Sequence, residues 1–240
     1  MTDWIPVQER LSAVREALAE ASTRFQRRTT LLAVSKTFPA QAVLAAAEAG
    51  QTAFGENYAQ EGCDKVDWFR EHHPELTLQW HFIGPLQSNK TRPVAERFDW
   101  VESVDRLKIA QRLSDQRPDA LPPLNLLIEV NIDGEATKSG VAPADLPALI
   151  EAVRRLPRVR LRGLMTIPAP AATHEARMAP LAAMKALFDE LAPRYGLDTL
   201  SMGMSADMIE AVEAGSTQVR VGSAIFGARH YPAKNQPQAQ

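Results

Sequence analysis

The amino-acid sequence predicts a single parallel (β/α)8 barrel that is preceded by one extra helix. Strand-like and helix-like segments alternate eight times, no change in composition divides the chain, and 240 residues suit an α/β barrel that forms one domain. We expect residues 1–230 to form this domain. Residues 231–240 are polar and rich in Pro and Gln, so we expect them to form a tail.

The extra helix is predicted for residues 4–26, where apolar residues recur at helical spacing. Four strand–helix units follow, with strands at 31–36, 52–57, 78–84 and 99–104 and helices at 39–50, 58–72, 86–98 and 105–116. Gly50 is expected to end the first of these four helices. Pro93 is expected to interrupt the third, because proline lacks a backbone N–H.

The second half of the chain continues the alternation. Strands are predicted at 124–132, 159–167 and 198–203, helices at 144–156, 177–194 and 205–215, and a strand followed by a turn at 217–227. The run LNLLIEVNI is almost continuously apolar, which is typical of a strand covered on both faces. An open doubly wound sheet is the alternative, but it often has a Gly-rich turn after its first strand. Here that strand runs into SKTFP, which favours the barrel.

Composition and charge exclude several classes of function. A formal net charge of −2 gives no electrostatic reason to expect binding to nucleic acid or to an anionic membrane. No apolar run approaches the ~20 residues that span a bilayer, and the first residues lack a signal-peptide pattern. Cys63 is the only cysteine, so a cytoplasmic protein without internal disulfides is expected. His72 and His73 lack metal-ligand partners at suitable spacing, and His81 is expected to be a hydrogen-bonded core or rim residue.

The carboxyl ends of the last two strands carry small polar residues. Ser201, Gly203 and Ser205 precede a helix, and Gly222 and Ser223 follow the eighth strand. Barrels of this type often bind a phosphate with the loops after strands seven and eight. Glycine permits close backbone approach, and hydroxyl and amide groups donate hydrogen bonds to phosphate oxygens. Ser and Gly are also ordinary caps and turn formers, but their occurrence in both loops favours a phosphate site.

Lys36 ends the first strand and is expected at the same mouth of the barrel. A lysine at such a position is by default a solvated charge, but in a confined site it can form a Schiff base with a carbonyl. A ligand that carries both an aldehyde and a phosphate would use the lysine and the two loops, and pyridoxal 5′-phosphate is such a ligand.

Arg220 lies two residues before Gly222 and should share its face of the strand. A guanidinium group donates hydrogen bonds and accepts none. Against a pyridine nitrogen it would therefore oppose protonation and leave the ring a weaker electron sink. A rim arginine in an ion pair is the alternative.

Seven motifs along residues 8–230 resemble those of the pyridoxal phosphate homeostasis protein family, whose fold resembles the barrel domain of alanine racemase. The motifs are AVSKTFP, FGENYAQE, WHFIGPLQSNK, LIEVNIDGEATKSGV, LRGLMTIP, LSMGMSADMIEAV and VRVGSAIFGAR. Family members often carry Thr where Ser223 stands and a basic residue where Phe38 stands. The first difference keeps the hydroxyl group, and the second removes a charge beside Lys36.

The resemblance implies a set of site residues. It implies that Lys36 holds pyridoxal phosphate as a Schiff base, that Asn57 lies near the cofactor and that Arg220 faces the pyridine nitrogen. It also implies that Lys138 takes part in cofactor handover. The phosphate contacts it implies come from Ser201, Gly203, Met204, Ser205, Gly222 and Ser223.

The resemblance further implies a monomeric protein that carries or buffers pyridoxal phosphate and maintains vitamin B6 homeostasis without robust catalytic activity. Enzymes that use this cofactor are the implied recipients. Two alternatives stay open: a pyridoxal phosphate-dependent amino-acid racemase that acts from the barrel alone, and a barrel for another phosphorylated ligand. A two-base racemase needs a second acid/base group, which a separate domain supplies in alanine racemase, and we expect no such domain here.

Overall fold

The computed structural model describes residues 4–135 and 137–228, and eight parallel strands in this part of the chain form a closed barrel in sequence order. The strands are β1 (Thr30–Val34), β2 (Ala53–Glu56), β3 (Gln79–Phe82), β4 (Trp100–Val104), β5 (Leu124–Glu129), β6 (Val159–Met165), β7 (Thr199–Ser201) and β8 (Gln218–Val221). Pairing of β1 with β8 closes the barrel, from Thr30 opposite Gln218 to Ala33 opposite Val221. The predicted (β/α)8 barrel is confirmed, and the open-sheet alternative is wrong. The predicted tail at 231–240 lies outside the described residues.

The described helices surround the barrel. They are α1 (Ile5–Arg24), α2 (Ala40–Glu48), α3 (Ala59–His72), α4 (Thr91–Arg97), α5 (Leu107–Gln116), α6 (Leu146–Val153), α7 (His174–Tyr195), α8 (Met208–Ala214) and α9 (Ser223–Phe226). Pro93 does not interrupt a helix as predicted, because it lies in the first turn of α4, where an N–H has no partner within the helix. The turn predicted after β8 is the one-turn helix α9. None of the helices in the described ranges is long and apolar enough to cross a membrane.

The extra helix α1 completes the outer ring. Because α9 is only four residues long, it leaves most of the outer face of β8 and β1 to another element. Helix α1 contacts α2, α8 and α9 and buries Val7, Leu11, Val14 and Leu18 against the core. The N-terminal helix therefore covers the position that a long eighth helix has in other barrels.

The barrel interior is divided into an apolar and a polar part. Leu32 and Val34 of β1 form an apolar cluster with Ile83, which follows β3. The interior also contains polar side chains, and all of them are buried: His81, Glu102, Ser201, Gln218 and Arg220. Buried polar groups need hydrogen-bond partners, so these side chains are expected to form a connected network.

Candidate functional site

The structure brings the ends of β7, β8 and β1 together at one mouth of the barrel. The Arg220 amide donates to the Gly203 carbonyl at 2.9 Å, which joins the loop after β7 to β8. A Cβ on Gly222 would lie 3.1 Å from the Val34 carbonyl oxygen, so the loop after β8 packs against the end of β1. Lys36 follows Val34 by two residues. The predicted lysine and the two predicted loops are therefore neighbours.

Lys36 lies on a tight turn between β1 and α2 and is half-buried. The Phe38 amide donates to the Ser35 carbonyl at 3.1 Å and closes this turn. Thr37 has a φ of +69°, which is rare for a β-branched residue. The Phe38 ring contacts the Phe226 ring of α9 at a centroid distance of 5.4 Å, which connects the turn to the loop after β8.

Three charged side chains lie beneath the turn. Lys65 Nζ contacts Glu56 Oε1 and Glu61 Oε1, each at 2.7 Å, and donates to the Ser35 carbonyl at 2.8 Å. Ser35 Oγ donates to Glu56 Oε1 at 2.6 Å, and the Thr37 amide donates to Glu61 Oε1 at 2.6 Å. Burial raises the pKa of Glu56 to about 7, although the charge and hydrogen bond of Lys65 act in the opposite direction.

The two Gly/Ser loops present small groups to the mouth. Gly203 has a φ of +95°, and a Cβ there would collide with Ala211, so the loop needs glycine at this position. Met204 and Ser205 are exposed beyond it, and Ser223 is exposed at the start of α9. N–H groups in the first turn of a helix have no acceptor within it. The hydroxyl groups of these loops and the N–H groups of the first helical turns are suited to bind a phosphate. Their contact with a phosphate stays a prediction.

Ser201 and Arg220 lie inside the barrel rather than on its rim. Ser201 is fully buried, and its hydroxyl donates to Glu102 Oε2 at 2.7 Å. Arg220 is 4% exposed and donates to Ser201 Oγ at 2.6 Å and to the Thr166 carbonyl at 2.8 Å. Arg220 is therefore a buried residue of the interior, and its predicted contact with a pyridine nitrogen is untested. The predicted contact of Ser201 with phosphate remains untested, and its hydroxyl already bonds within the interior network.

Glu102 is the centre of this interior network. His81 Nδ1 and Gln218 Nε2 each contact Glu102 Oε1 at 2.7 Å. Burial acts to raise the pKa of Glu102, but His81, Arg220 and Ser201 together hold it below its ordinary value. Glu102 is therefore a buried carboxylate that balances the buried Arg220 charge, while burial lowers the pKa of Arg220. The prediction that His81 is a hydrogen-bonded buried residue is confirmed.

Asn57 follows β2 and offers an unused acceptor. Its Oδ1 atom is buried and has no hydrogen-bond partner among the residues that the structure describes. A Cβ on Gly84 would collide with the Asn57 backbone, and Ser103 Oγ donates to the Gly84 carbonyl at 2.5 Å, so neighbouring loops hold Asn57 in place. An orphaned amide oxygen at the carboxyl end of a barrel strand is suited to accept a hydrogen bond from a ligand.

Lys138 lies on the loop after β5, away from the contacts that join the other predicted residues. Its ammonium contacts Asp133 Oδ2 at 2.5 Å and Glu135 Oε1 at 3.8 Å. Asp133 Oδ2 also accepts from the Ala169 amide at 2.8 Å. The lysine thus bridges charges within its own loop, and the predicted role in cofactor handover is untested.

Sequence reasoning assigned no role at the mouth to three residues that shape it. Glu61 and Lys65 have the spacing of an ordinary surface ion pair on a helix, and only their contacts with the Lys36 turn distinguish them. Glu129 ends β5 and is 8% exposed. Burial raises the pKa of Glu129 to about 7. Repulsion by Asp105 acts in the same direction, and the attraction of Arg220 acts in the opposite direction. No signal in the sequence marked this position, because the predicted strand 124–132 placed Glu129 inside the strand and not at its end.

Comparisons with known proteins agree with this geometry. Residues 10–230 match the family model described as alanine racemase, N-terminal domain. The pyridoxal phosphate homeostasis protein of Vibrio cholerae is 55% identical over 93% of this chain and 95% of its own length. The protein of that name from Escherichia coli K12 is 54% identical over 95% of this chain and 99% of its own. The structure of PipY from Synechococcus elongatus with PLP bound superposes with a TM-score of 0.79 at 36% identity, covering 92% of this chain and all of PipY.

Proposed function

The chain belongs to the pyridoxal phosphate homeostasis protein family, and from this we infer that it binds pyridoxal 5′-phosphate and acts in the homeostasis of that cofactor. One observation of the structure carries the proposal: the Lys36 turn lies beside the loop that follows β8, and β8 bonds to the Gly/Ser loop that follows β7. The relative PipY, described as having PLP bound, supports the same ligand. The proposed setting is the cytoplasm, and the proposed state is a monomer.

The residues at the mouth, together with Ser201 and Arg220 in the interior, suit the parts of this cofactor. When bound, pyridoxal phosphate supplies an aldehyde for Schiff-base formation and a ring that withdraws electrons. We assign Lys36 to the Schiff base, Arg220 to the pyridine nitrogen and Asn57 to a polar substituent of the ring. The assigned phosphate contacts are Ser201, Gly203, Met204, Ser205, Gly222 and Ser223.

We further propose that the protein carries or buffers the cofactor and is not a robust enzyme. Arg220 supports this role, because a buried guanidinium that only donates hydrogen bonds would keep the pyridine nitrogen unprotonated. An unprotonated ring stabilises a carbanion poorly. Lys138 is the proposed handover residue, and enzymes that require the cofactor are the proposed recipients.

The test of cofactor binding uses the visible absorbance of a lysine–pyridoxal phosphate Schiff base in purified protein mixed with the cofactor. Lys36→Ala should lose this band and should release the cofactor on dialysis, while it keeps the circular dichroism of the folded barrel. Lys108→Ala, which removes an exposed lysine from α5, should behave like the native protein. A native protein without the band would refute the proposal and would favour a barrel for another phosphorylated ligand.

The test of the carrier role uses the loaded protein and amino acids of known handedness. The ratio of enantiomers should stay constant on the timescale of ordinary enzyme turnover. Racemisation at about 1 s⁻¹ or faster would make the protein an enzyme and would favour the racemase alternative.

A further inference from the structure

We propose that Glu61 and Lys65 are positioning residues for Lys36: they hold the backbone on both sides of this lysine and so set the direction of its side chain toward the cofactor. This inference rests on the proposed function. It concerns two residues of α3 that lie 25 and 29 positions after Lys36 and would otherwise be an ordinary ion pair along a helix.

The contacts of this pair are made with the two residues that flank Lys36. Lys65 Nζ donates to the carbonyl of Ser35, and Glu61 Oε1 accepts from the amide of Thr37. Both partners are backbone atoms, at 2.8 Å and 2.6 Å, so the contacts fix the path of the chain rather than a side chain. A pair that served only to stabilise α3 would not need to reach either neighbour of the lysine.

The conformation of Thr37 explains why the turn needs these contacts. Its φ of +69° is unfavourable for a β-branched residue, and such a conformation persists only where the surrounding structure enforces it. On its outer side the turn borders an open surface groove that Thr37, Phe38, Glu61 and Lys65 help to line. On that side the hydrogen bonds from Lys65 to the Ser35 carbonyl and from the Thr37 amide to Glu61 hold the backbone of the turn.

Burial makes the arrangement rigid. The Lys65 side chain is 5% exposed and the Glu56 side chain is fully buried, while Glu61 is 29% exposed at the edge of the groove. Lys65 bridges both carboxylates, so Glu61 is held in the place from which it reaches Thr37. Strand β2, helix α3 and the Lys36 turn are thus joined through one ammonium group.

The expected consequence of losing this support is a turn that relaxes away from the binding geometry. Thr37 would return to a negative φ, and Lys36 would leave its position beside the loop that follows β8. The cofactor would then have to restore the turn on binding, which lowers affinity without unfolding the barrel.

The experiment compares the affinity for pyridoxal phosphate with the stability of the cofactor-free protein. Glu61→Ala removes the acceptor for Thr37 but leaves Lys65 paired with Glu56, so no buried charge loses its partner. We expect about a tenfold loss of affinity, measured by titration of the Schiff-base absorbance, with little change in the urea midpoint. Glu61→Gln keeps an oxygen acceptor and should restore binding close to the native value. Lys185→Met removes the Lys185–Asp189 pair from α7 and is the matched control for a lost helical ion pair.

Three results would overturn the inference. They are native affinity in Glu61→Ala, an equal loss in Glu61→Gln, and a loss of affinity that merely follows a loss of stability. A second variant tests the strain directly: glycine adopts a positive φ without penalty, so Thr37→Gly should recover part of the affinity in the Glu61→Ala background. No recovery would also count against the inference. Absence of the Schiff-base band in the native protein would instead refute the proposed function, so the two failures are distinguishable.

Discussion

Replacing Glu129 with glutamine should stabilise the protein in alkaline solution and leave its stability unchanged in acid. Glu129 ends β5 at the mouth and is 8% exposed. Burial and the nearby Asp105 outweigh the attraction of Arg220 and raise the pKa of Glu129 from 4.5 to about 7. The folded state therefore holds a proton on this carboxyl group that the unfolded chain releases at lower pH.

The sign and size of the effect follow from proton linkage. Because the folded pKa is the higher one, the stabilising contribution of Glu129 is complete below about 4.5 and is lost as the pH rises through about 7. At 1.36 kcal/mol per pKa unit, the change from 4.5 to about 7 lowers the free energy of unfolding by about 3 kcal/mol. Glutamine does not titrate, so Glu129→Gln should avoid this loss. For a chain of this size the gain corresponds to a rise of about 6–12 °C in Tm at pH 8 to 9.

The assay is urea denaturation of the cofactor-free native protein and of Glu129→Gln at several pH values between about 5 and 9. The difference in free energy of unfolding should grow from about 1 kcal/mol at pH 5 to about 3 kcal/mol at pH 9. Glu56 also has a pKa raised to about 7, but it titrates in both proteins and cancels in the difference. Glu190→Gln, at an exposed position on α7, should show no such trend. A difference that does not depend on pH, or a variant that is less stable at pH 8, would refute the reasoning.

Three further substitutions test the barrel itself. Glu102→Gln removes the carboxylate that balances buried Arg220 and should cost about 3–5 kcal/mol in urea denaturation, whereas a cost below about 1 kcal/mol would mean that other groups balance this charge. Gly163→Ala places a Cβ against the Thr199 carbonyl of the neighbouring strand and should prevent folding of most of the protein. Gly196→Ala is the control: its Cβ would have nothing within 4 Å, but φ there is +68°, so it should cost only about 1–2 kcal/mol. Equal losses of thermal stability in Gly163→Ala and Gly196→Ala would contradict the packing argument.

Much of the fold could be predicted because it depends on local patterns. The alternation of apolar strands with amphipathic helices identified all eight strands, since each pattern reflects only which faces of a segment are covered. Pro93 was misjudged because its effect depends on whether it lies in the first turn or the interior of a helix. Because the 3₁₀ turn at 88–90 ends where α4 begins, Pro93 lies in the first turn of α4 and not in a helix interior.

The candidate site was predictable where a rule of the fold specifies a position. Lys36, Gly203, Gly222 and Ser223 follow strands, and a parallel barrel places all strand ends of one kind at one mouth. Glu61 and Lys65 escaped prediction because they lie on a helix, where a charged pair four residues apart is ordinary. Their contact with the Lys36 turn depends on how α3 packs against β2 and the turn.

The sequence by itself determined the barrel, and it predicted the end of the barrel at which the candidate site residues gather. Only the tertiary structure decided that Ser201 and Arg220 point into the interior and that Glu102 balances their network. The physical reason is distance along the chain: Glu102 meets Ser201 across 99 positions and Gln218 across 116. Periodicity and spacing describe residues that are close in sequence. Closure of the barrel decides which residues that are distant in sequence meet in the interior and form the hydrogen-bond network around Glu102.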